Sequence, residues 1–148
     1  MEGDTQLCGK CDTVKPLADF AKNKSRPSGI DNLCAQCRAE YVAVKIRTPS
    51  YRFSRAKAIV KQRKKYSWEL TEDEFCQLIA QPCTYCGFPT DDATGIGLDR
   101  IDNTKGYSPS NVLPCCGECN RIRSNLYTVS EMKLIGKVVG RIKKERST

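Results

Sequence analysis

Eight of the ten cysteines form four CxxC pairs, a spacing that lets two thiolates reach one metal ion from a tight turn. Two such turns complete a tetrahedron, so distances along the chain predict two zinc sites. The first site is formed by Cys8, Cys11, Cys34 and Cys37, and the second by Cys83, Cys86, Cys116 and Cys119. Because all four ligands of each site come from the protein, we expect both zinc ions to be structural.

Disulfide bonds are the alternative use of clustered cysteines. The first residues, MEGDTQLCGK, lack the apolar stretch of a secretory signal, and no run approaches roughly 18 apolar residues. We therefore expect a cytoplasmic protein that spans no membrane, in which clustered thiols bind metal. The remaining cysteines, Cys76 and Cys115, are predicted to be small buried hydrophobic residues.

A second group of residues offers oxygen ligands for a hard divalent ion. The segments IGLDRID (96–102) and NVLPC (111–115) have strand character, and the turn-rich NTKGYSPS (103–110) connects them. GECNRIRSNL (117–126) is predicted to be helical. A hairpin and helix clamped by the second zinc site would bring Asp99 and Asn120 to one point. Such oxygen ligands suit an ion that keeps part of its hydration.

Residues 83–125 resemble the HNH, or ββα-metal, endonucleases, through a CxxC pair followed by LDRIDN, GY, NV and CGECN. The usual Asp-His of that family is Asp99-Arg100 here, as in histidine-lacking restriction and phage-encoded members. The resemblance implies cleavage of double-stranded DNA in a bacterial or phage-infected cell. It also implies that Asp99 and Asn120 hold one divalent ion, Mg²⁺ or alternatively Mn²⁺, and that Asn111 braces the hairpin loop.

The chain has no histidine, so the general base must be another residue. Arg100 occupies the position of the base but keeps its proton at neutral pH, and we expect it to orient the phosphate. Tyr107 is the preferred base, since a nearby guanidinium and metal ion would lower its pKa from about 10. Asp102 is the alternative, although a carboxylate in DNTKG is also typical of a turn.

The basic residues indicate a nucleic-acid partner. The formal net charge is +8, and residues 45–65 contain nine basic residues and no acidic one. Charge of a single sign on a helix, interleaved with aromatic residues, favours phosphate contact over a solvated face. The predicted DNA contacts are Arg52, Arg55, Lys57, Lys61, Arg63, Lys64, Lys65, Arg121 and Arg123.

The helices that carry these residues have recognisable ends. We predict a helix over 35–47 and a second one, capped by Ser50, that runs to Tyr66. Capping boxes at Thr71/Glu74 and Thr128/Glu131 start two more helices. The predicted fold class is α+β, a small zinc-stapled fold with an HNH core. Its predicted parts are a zinc module (1–47), a basic helical segment (48–70) and a nuclease domain (71–148).

Three functions remain to be separated. A metal-dependent endonuclease uses every feature above; a monomer would nick, and a palindromic double-strand cut would need a homodimer. A non-catalytic zinc protein that binds DNA would need the same zinc sites and basic helix. An interaction module of the RING type leaves the basic run and the LDRIDN segment without a role.

Overall fold

The computed structural model of the protein describes residues 4–89 and 95–147. The chain divides into two compact units, residues 1–46 and residues 47–148, and the basic helix belongs to the second. The described residues form helices and antiparallel sheets of two strands each, which confirms the predicted mixture of helix and strand. Neither described stretch contains a helix long and apolar enough to cross a bilayer.

The first unit is built around four cysteines rather than an extensive apolar core. Its elements are β1 (Thr5–Leu7), β2 (Val14–Pro16), β3 (Phe20–Lys22), β4 (Ile30–Cys34) and α1 (Ala35–Lys45), with β1 paired to β2 and β3 to β4. Its buried hydrophobic cluster contains Cys8, Cys34, Cys37 and one aromatic residue, Phe20. So few apolar groups bury little surface, and units of this size usually need a staple such as a metal ion or disulfides.

The second unit holds the predicted hairpin and helix. Its elements are α2 (Pro49–Arg63), α3 (Glu72–Ile79), β5 (Ile96–Arg100), β6 (Val112–Cys116), α4 (Gly117–Arg123) and α5 (Val129–Arg146). Strands β5 and β6 pair antiparallel. The hydrophobic core of the second unit is larger than that of the first and contains Phe53, Phe75, Ile79, Ile96, Met132 and Val139.

Local helix signals explain where most helices begin. The side chains of Thr71 and Thr128 each accept a hydrogen bond from the backbone N–H three residues on. The side chains of Glu74 and Glu131 accept one from the backbone N–H of the threonine, so both predicted capping boxes are confirmed. The cap of α2 was predicted wrongly. Thr48 caps the helix, because Pro49 is suited to its first position and moves the start two residues towards the N-terminus.

The ends of the two basic helices also differ from the prediction. Helix α1 ends at Lys45, before the Thr-Pro step. Helix α2 ends at Arg63 because Lys64 adopts a left-handed conformation with φ of 52°. Lys65 and Tyr66 therefore lie in a separate segment, which crosses towards the hairpin.

Two glycines let α5 pack closely on the second cysteine loop. A Cβ atom at Gly136 would lie well inside contact distance of the carbonyl oxygen of Tyr85, and one at Gly140 would do the same to Cys86. Glycine is unfavourable within a helix, and here it is required by the close approach of another backbone.

Candidate functional site

The hairpin and helix form one continuous unit with a fixed register. Asp99 lies opposite Leu113 and Arg100 lies opposite Val112 in the β5–β6 ladder. Helix α4 begins directly after β6, and the sulfur of Cys116 accepts a hydrogen bond from the Cys119 backbone N–H. The end of the strand and the start of the helix are therefore held together at the second cysteine cluster.

Both predicted cysteine clusters form. The Sγ atoms of Cys8, Cys11, Cys34 and Cys37 lie within 4.8 Å of one another, and the same holds for those of Cys83, Cys86, Cys116 and Cys119. Zinc with Zn–S distances of about 2.3 Å needs sulfurs about 3.8 Å apart, and Cys86 and Cys116 are 3.9 Å apart. The two groups therefore fit two tetrahedral zinc ions.

Each cluster has a lysine beside its sulfurs. Lys15 Nζ lies 3.6 Å from Cys34 Sγ, and Lys143 Nζ lies 3.3 Å from Cys116 Sγ and 3.0 Å from Glu118 Oε2. Four thiolates and one zinc ion carry a net charge of −2, so a nearby ammonium group offsets part of it. Outer contacts of this kind orient and tune metal ligands.

Asn111 holds the hairpin loop closed. Its buried side chain accepts a hydrogen bond from the Asp102 N–H at 2.9 Å. It donates to the carbonyls of Asp102 and Gly106 at 3.1 and 2.8 Å. These bonds set the path of the loop that leads to Tyr107, in line with the bracing role implied by the resemblance.

A cleft of about 350 Å³ lies between the hairpin and α4, and we call it the polar cleft. Four of the five predicted catalytic residues line it; Asn111 lies behind the loop. The lining residues are Leu98, Asp99, Arg100, Asn103, Tyr107, Gly117, Asn120, Arg121, Ser124 and Asn125. Asn120 is exposed, whereas Asp99 is only 4% exposed. Residues more than 20 positions apart in the sequence thus share one polar cavity.

Asp99 takes part in a buried network that the sequence did not predict. Its Oδ2 accepts a hydrogen bond from the Tyr85 hydroxyl at 2.5 Å, and Arg123 Nη1 donates to Oδ1 and Oδ2 at 2.9 and 3.1 Å. Burial, followed by the hydrogen bond to Asp99, raises the pKa of Tyr85 far above its ordinary value. The tyrosine therefore stays protonated and acts as a fixed donor.

Arg123 is structural rather than exposed to a phosphate. It is 3% exposed, and besides Asp99 it donates to the carbonyls of Arg100 at 2.8 Å and Ile101 at 2.9 Å. Because the hairpin encloses the guanidinium, the predicted phosphate contact of Arg123 is wrong. Among the buried polar side-chain atoms of the described residues, Arg123 Nε is the one without a hydrogen-bond partner.

The oxygen groups of the polar cleft still fit a hard cation. Three hydrogen bonds reach the Asp99 carboxylate, which offers about four acceptor sites, and Oδ1 accepts only one of them. The exposed amide of Asn120 adds a neutral oxygen in the same cleft. A carboxylate, an amide and water are ligands of the kind that Mg²⁺ takes.

Arg100 is held between aromatic rings and the hairpin loop. Its guanidinium carbon lies 3.6 Å from the ring centroid of Tyr66 and 5.3 Å from that of Tyr107, and its Nη1 donates to the Asn103 and Lys105 carbonyls. Hydrogen bonding to Arg100, and then to Lys65, lowers the pKa of Tyr66. From the sequence alone, Tyr66 was placed only at the predicted end of a helix.

The two candidate bases have different surroundings. Tyr107 lines the polar cleft and stacks on Trp68 with ring centroids 5.3 Å apart. Asp102 accepts hydrogen bonds from the backbone and hydroxyl of Thr104, which lower its pKa, and it lies 3.5 Å from Lys105. Asp102 therefore has the contacts of a turn former, and a lowered pKa makes a weaker base.

The predicted DNA-contacting residues divide into two groups. Arg52 is half-buried, and burial lowers its pKa. Its guanidinium donates a hydrogen bond to the Ile96 carbonyl of β5 and is therefore not free to contact a phosphate. Apart from Arg52 and the buried Arg123, the predicted contacts are exposed: Arg55, Lys57, Lys61, Arg63, Lys64, Lys65 and Arg121. Arg121 also lines the polar cleft.

Comparisons with known proteins agree with this architecture. No family profile matches the sequence. Over 63 residues, 43% of this chain, the sequence is 36% identical to uncharacterized protein R423 of Acanthamoeba polyphaga mimivirus, and the chain spans 12% of that protein. Among solved structures the chain is similar to the rare-cutting HNH restriction endonuclease PacI, with a TM-score of 0.53 and 21% identity. That match covers 96% of this chain and 98% of PacI, so the chain has an HNH-like fold.

Proposed function

We propose that the protein is a metal-dependent endonuclease that hydrolyses phosphodiester bonds in double-stranded DNA. The observation that carries the proposal is the polar cleft, where Asp99, Arg100, Tyr107 and Asn120 meet on a hairpin and helix joined by a cysteine cluster. The fold shared with an HNH restriction endonuclease supports a nuclease-like role.

The residues of the cleft have distinct roles in this proposal. Asp99 and Asn120 would hold Mg²⁺, which would supply neutralising charge at the scissile phosphate and the leaving oxygen. Arg100 orients the phosphate; its guanidinium is fixed on Tyr66 and on loop carbonyls, so it loses little freedom on binding. Tyr107, as the phenolate, accepts the proton of the attacking water.

The DNA partner is inferred from charge. The exposed basic residues of α2 and the following segment belong to the same compact unit as the cleft, and Arg121 lies at its rim. Lys and Arg contacts to phosphates supply affinity without reading sequence. One such site cuts one strand, so double-strand cleavage would require either a homodimer or two successive encounters with the DNA.

The test is conversion of supercoiled plasmid by zinc-loaded protein in buffer without added metal, with Mg²⁺ and with Mn²⁺. Nicked or linear plasmid that appears only with added Mg²⁺ or Mn²⁺ supports the proposal. Because EDTA can also extract zinc, zinc content is measured after chelation and Mg²⁺ is then added back in excess. A zinc-replete protein that leaves the plasmid intact under all conditions contradicts the proposal.

Tyr107→Phe tests the proposed base. The variant keeps the ring that stacks on Trp68 and removes only the hydroxyl, so we expect an intact fold. Loss of general base catalysis lowers the rate by about 10²–10⁴-fold. A Tyr107→Phe protein that cleaves at the wild-type rate removes Tyr107 from the mechanism, and Tyr66→Phe is then the next variant to measure.

A non-catalytic, zinc-containing DNA-binding protein is the second candidate. The observation in its favour is the Asp99 carboxylate, which is already neutralised by Arg123. In that case plasmid is retarded in a gel and never cut, and neither Mg²⁺ nor Mn²⁺ changes the result. The plasmid experiment therefore separates the two functions.

A further inference from the structure

A second cleft lies on the other side of Tyr107, and we call it the aromatic cleft. It has a volume of about 320 Å³ and lies among α2, α3 and β5. Its walls include Ile59, Trp68, Phe75 and Leu98, and Arg55 lies at its edge. Nothing in the proposed mechanism uses this cleft.

The aromatic wall is rigid. Trp68 stacks on Tyr107 and contacts Phe75 with ring centroids 6.0 Å apart. The indole N–H donates to the Leu70 carbonyl at 3.0 Å, which fixes the ring plane. Trp68 is nevertheless partly exposed, and it lines the cleft.

The chemistry of the cleft selects its ligand. An apolar, aromatic floor accepts a flat ring, and the exposed guanidinium of Arg55 accepts a phosphate. The volume is near the lower end of the roughly 300–1,000 Å³ of small-ligand pockets, which suits one base rather than a larger group. Aromatic stacking tolerates any base, because every base has a π-face.

Its position connects the cleft to the proposed active site. Leu98 and Tyr107 line both the aromatic cleft and the polar cleft. The two clefts therefore share part of one wall, at the ring that stacks on Trp68. We propose that the aromatic cleft binds one unstacked nucleobase of the DNA strand next to the phosphate that is cut.

This inference rests on the proposed DNA-binding function, and its test does not depend on cleavage. Trp68 is the sole tryptophan of the chain, so intrinsic fluorescence reports directly on the cleft. Oligothymidylate is titrated into the zinc-loaded protein without Mg²⁺, beside an abasic oligonucleotide of the same length and charge. We expect oligothymidylate to quench Trp68 and to bind about tenfold more tightly than the abasic strand, since one stacked base contributes on the order of 1–3 kcal/mol.

A matched pair of variants locates the base. Ile59→Glu places a carboxylate at the wall of the aromatic cleft, and Ala58→Glu adds the same charge at an exposed position of the same helix that does not line it. We expect Ile59→Glu to bind oligothymidylate about tenfold more weakly than Ala58→Glu and to abolish the quenching. Circular dichroism of both variants checks the fold.

Three results would overturn the inference. They are equal quenching by both oligonucleotides, equal affinity of the two variants, and absence of binding by either strand. Quenching without any plasmid cleavage would refute the endonuclease and keep the base site. Metal-dependent cleavage with unquenched Trp68 would do the reverse.

Discussion

Substitution of Arg123 separates a buried structural ion pair from a DNA contact. The side chains of Arg123 and Asp99 are 4% and 5% exposed, and the guanidinium also donates to two carbonyls of the hairpin. Removal of one partner from a buried pair leaves the other charge without compensation, which costs about 3–5 kcal/mol. We therefore expect Arg123→Ala to lower the free energy of unfolding of the second unit by about that amount.

Arg121 provides the matched control on the same helix. It lies two residues earlier and is exposed, so Arg121→Ala should change stability by no more than about 0.5 kcal/mol. It should instead weaken DNA binding and flatten its salt dependence by about one phosphate contact. Urea unfolding of zinc-loaded protein, followed by Trp68 fluorescence, measures the stability of both variants.

One outcome would refute this reasoning. If Arg123→Ala unfolds at the wild-type urea concentration with an unchanged slope, and loses DNA affinity as Arg121→Ala does, then Arg123 is a solvent-accessible phosphate contact. Tyr85→Phe gives an independent check, because it removes one hydrogen bond to the buried Asp99 carboxylate and should cost about 1.5–3 kcal/mol.

Three further predictions follow from particular contacts. Gly136→Ala would be stabilising by helix propensity alone, but it should lower stability by about 1–3 kcal/mol in thermal unfolding because the added methyl meets the Tyr85 carbonyl. Lys137→Ala, at an exposed position one residue on, is the control. A gain in stability for Gly136→Ala would contradict the close packing. Metal analysis should find two zinc ions per chain and one in Cys119→Ser, whereas two in the variant would exclude Cys119 as a ligand. Ultraviolet difference titration should show a tyrosine that ionises below the usual pKa of about 10 and is missing in Tyr66→Phe. Since the pKa of Tyr66 is lowered in the folded state, the ionised form stabilises the fold above the usual pKa, and this stabilisation is lost as the pH falls through the folded-state pKa. An unchanged titration would rule out the Arg100 contact.

The features that sequence predicted well are those with local causes. A CxxC turn brings its own two sulfurs together, and the spacing of four such turns left one sensible pairing, so both cysteine clusters were foreseen. The capping boxes at Thr71 and Thr128 and the hairpin over 96–116 likewise depend on neighbouring residues. The zinc-clamped hairpin and helix also predicted that Asp99 and Asn120 would meet, and both line one cleft.

The features that sequence missed depend on what a charged side chain finds after folding. Arg52, Arg121 and Arg123 look alike in the sequence, yet one is attached to a strand carbonyl, one is exposed, and one is enclosed with Asp99. Spacing carries a weak hint, since Arg123 is four residues after Cys119 and shares its buried helix face. The stacking of Tyr66 under Arg100 has no comparable sequence signal, because the two residues come from separate elements.

The most direct test of the central claim is plasmid cleavage by Asn120 variants. Asn120 is exposed, so its substitution probes the polar cleft without the destabilisation expected for Asp99→Ala, which would leave Arg123 unpaired. We predict that zinc-loaded wild type nicks supercoiled plasmid with Mg²⁺, that Asn120→Ala loses at least about 10²-fold of that activity while it still binds DNA, and that Asn120→Asp, which keeps an oxygen ligand, retains cleavage. Cleavage at the wild-type rate by Asn120→Ala would show that the reaction does not use this cleft.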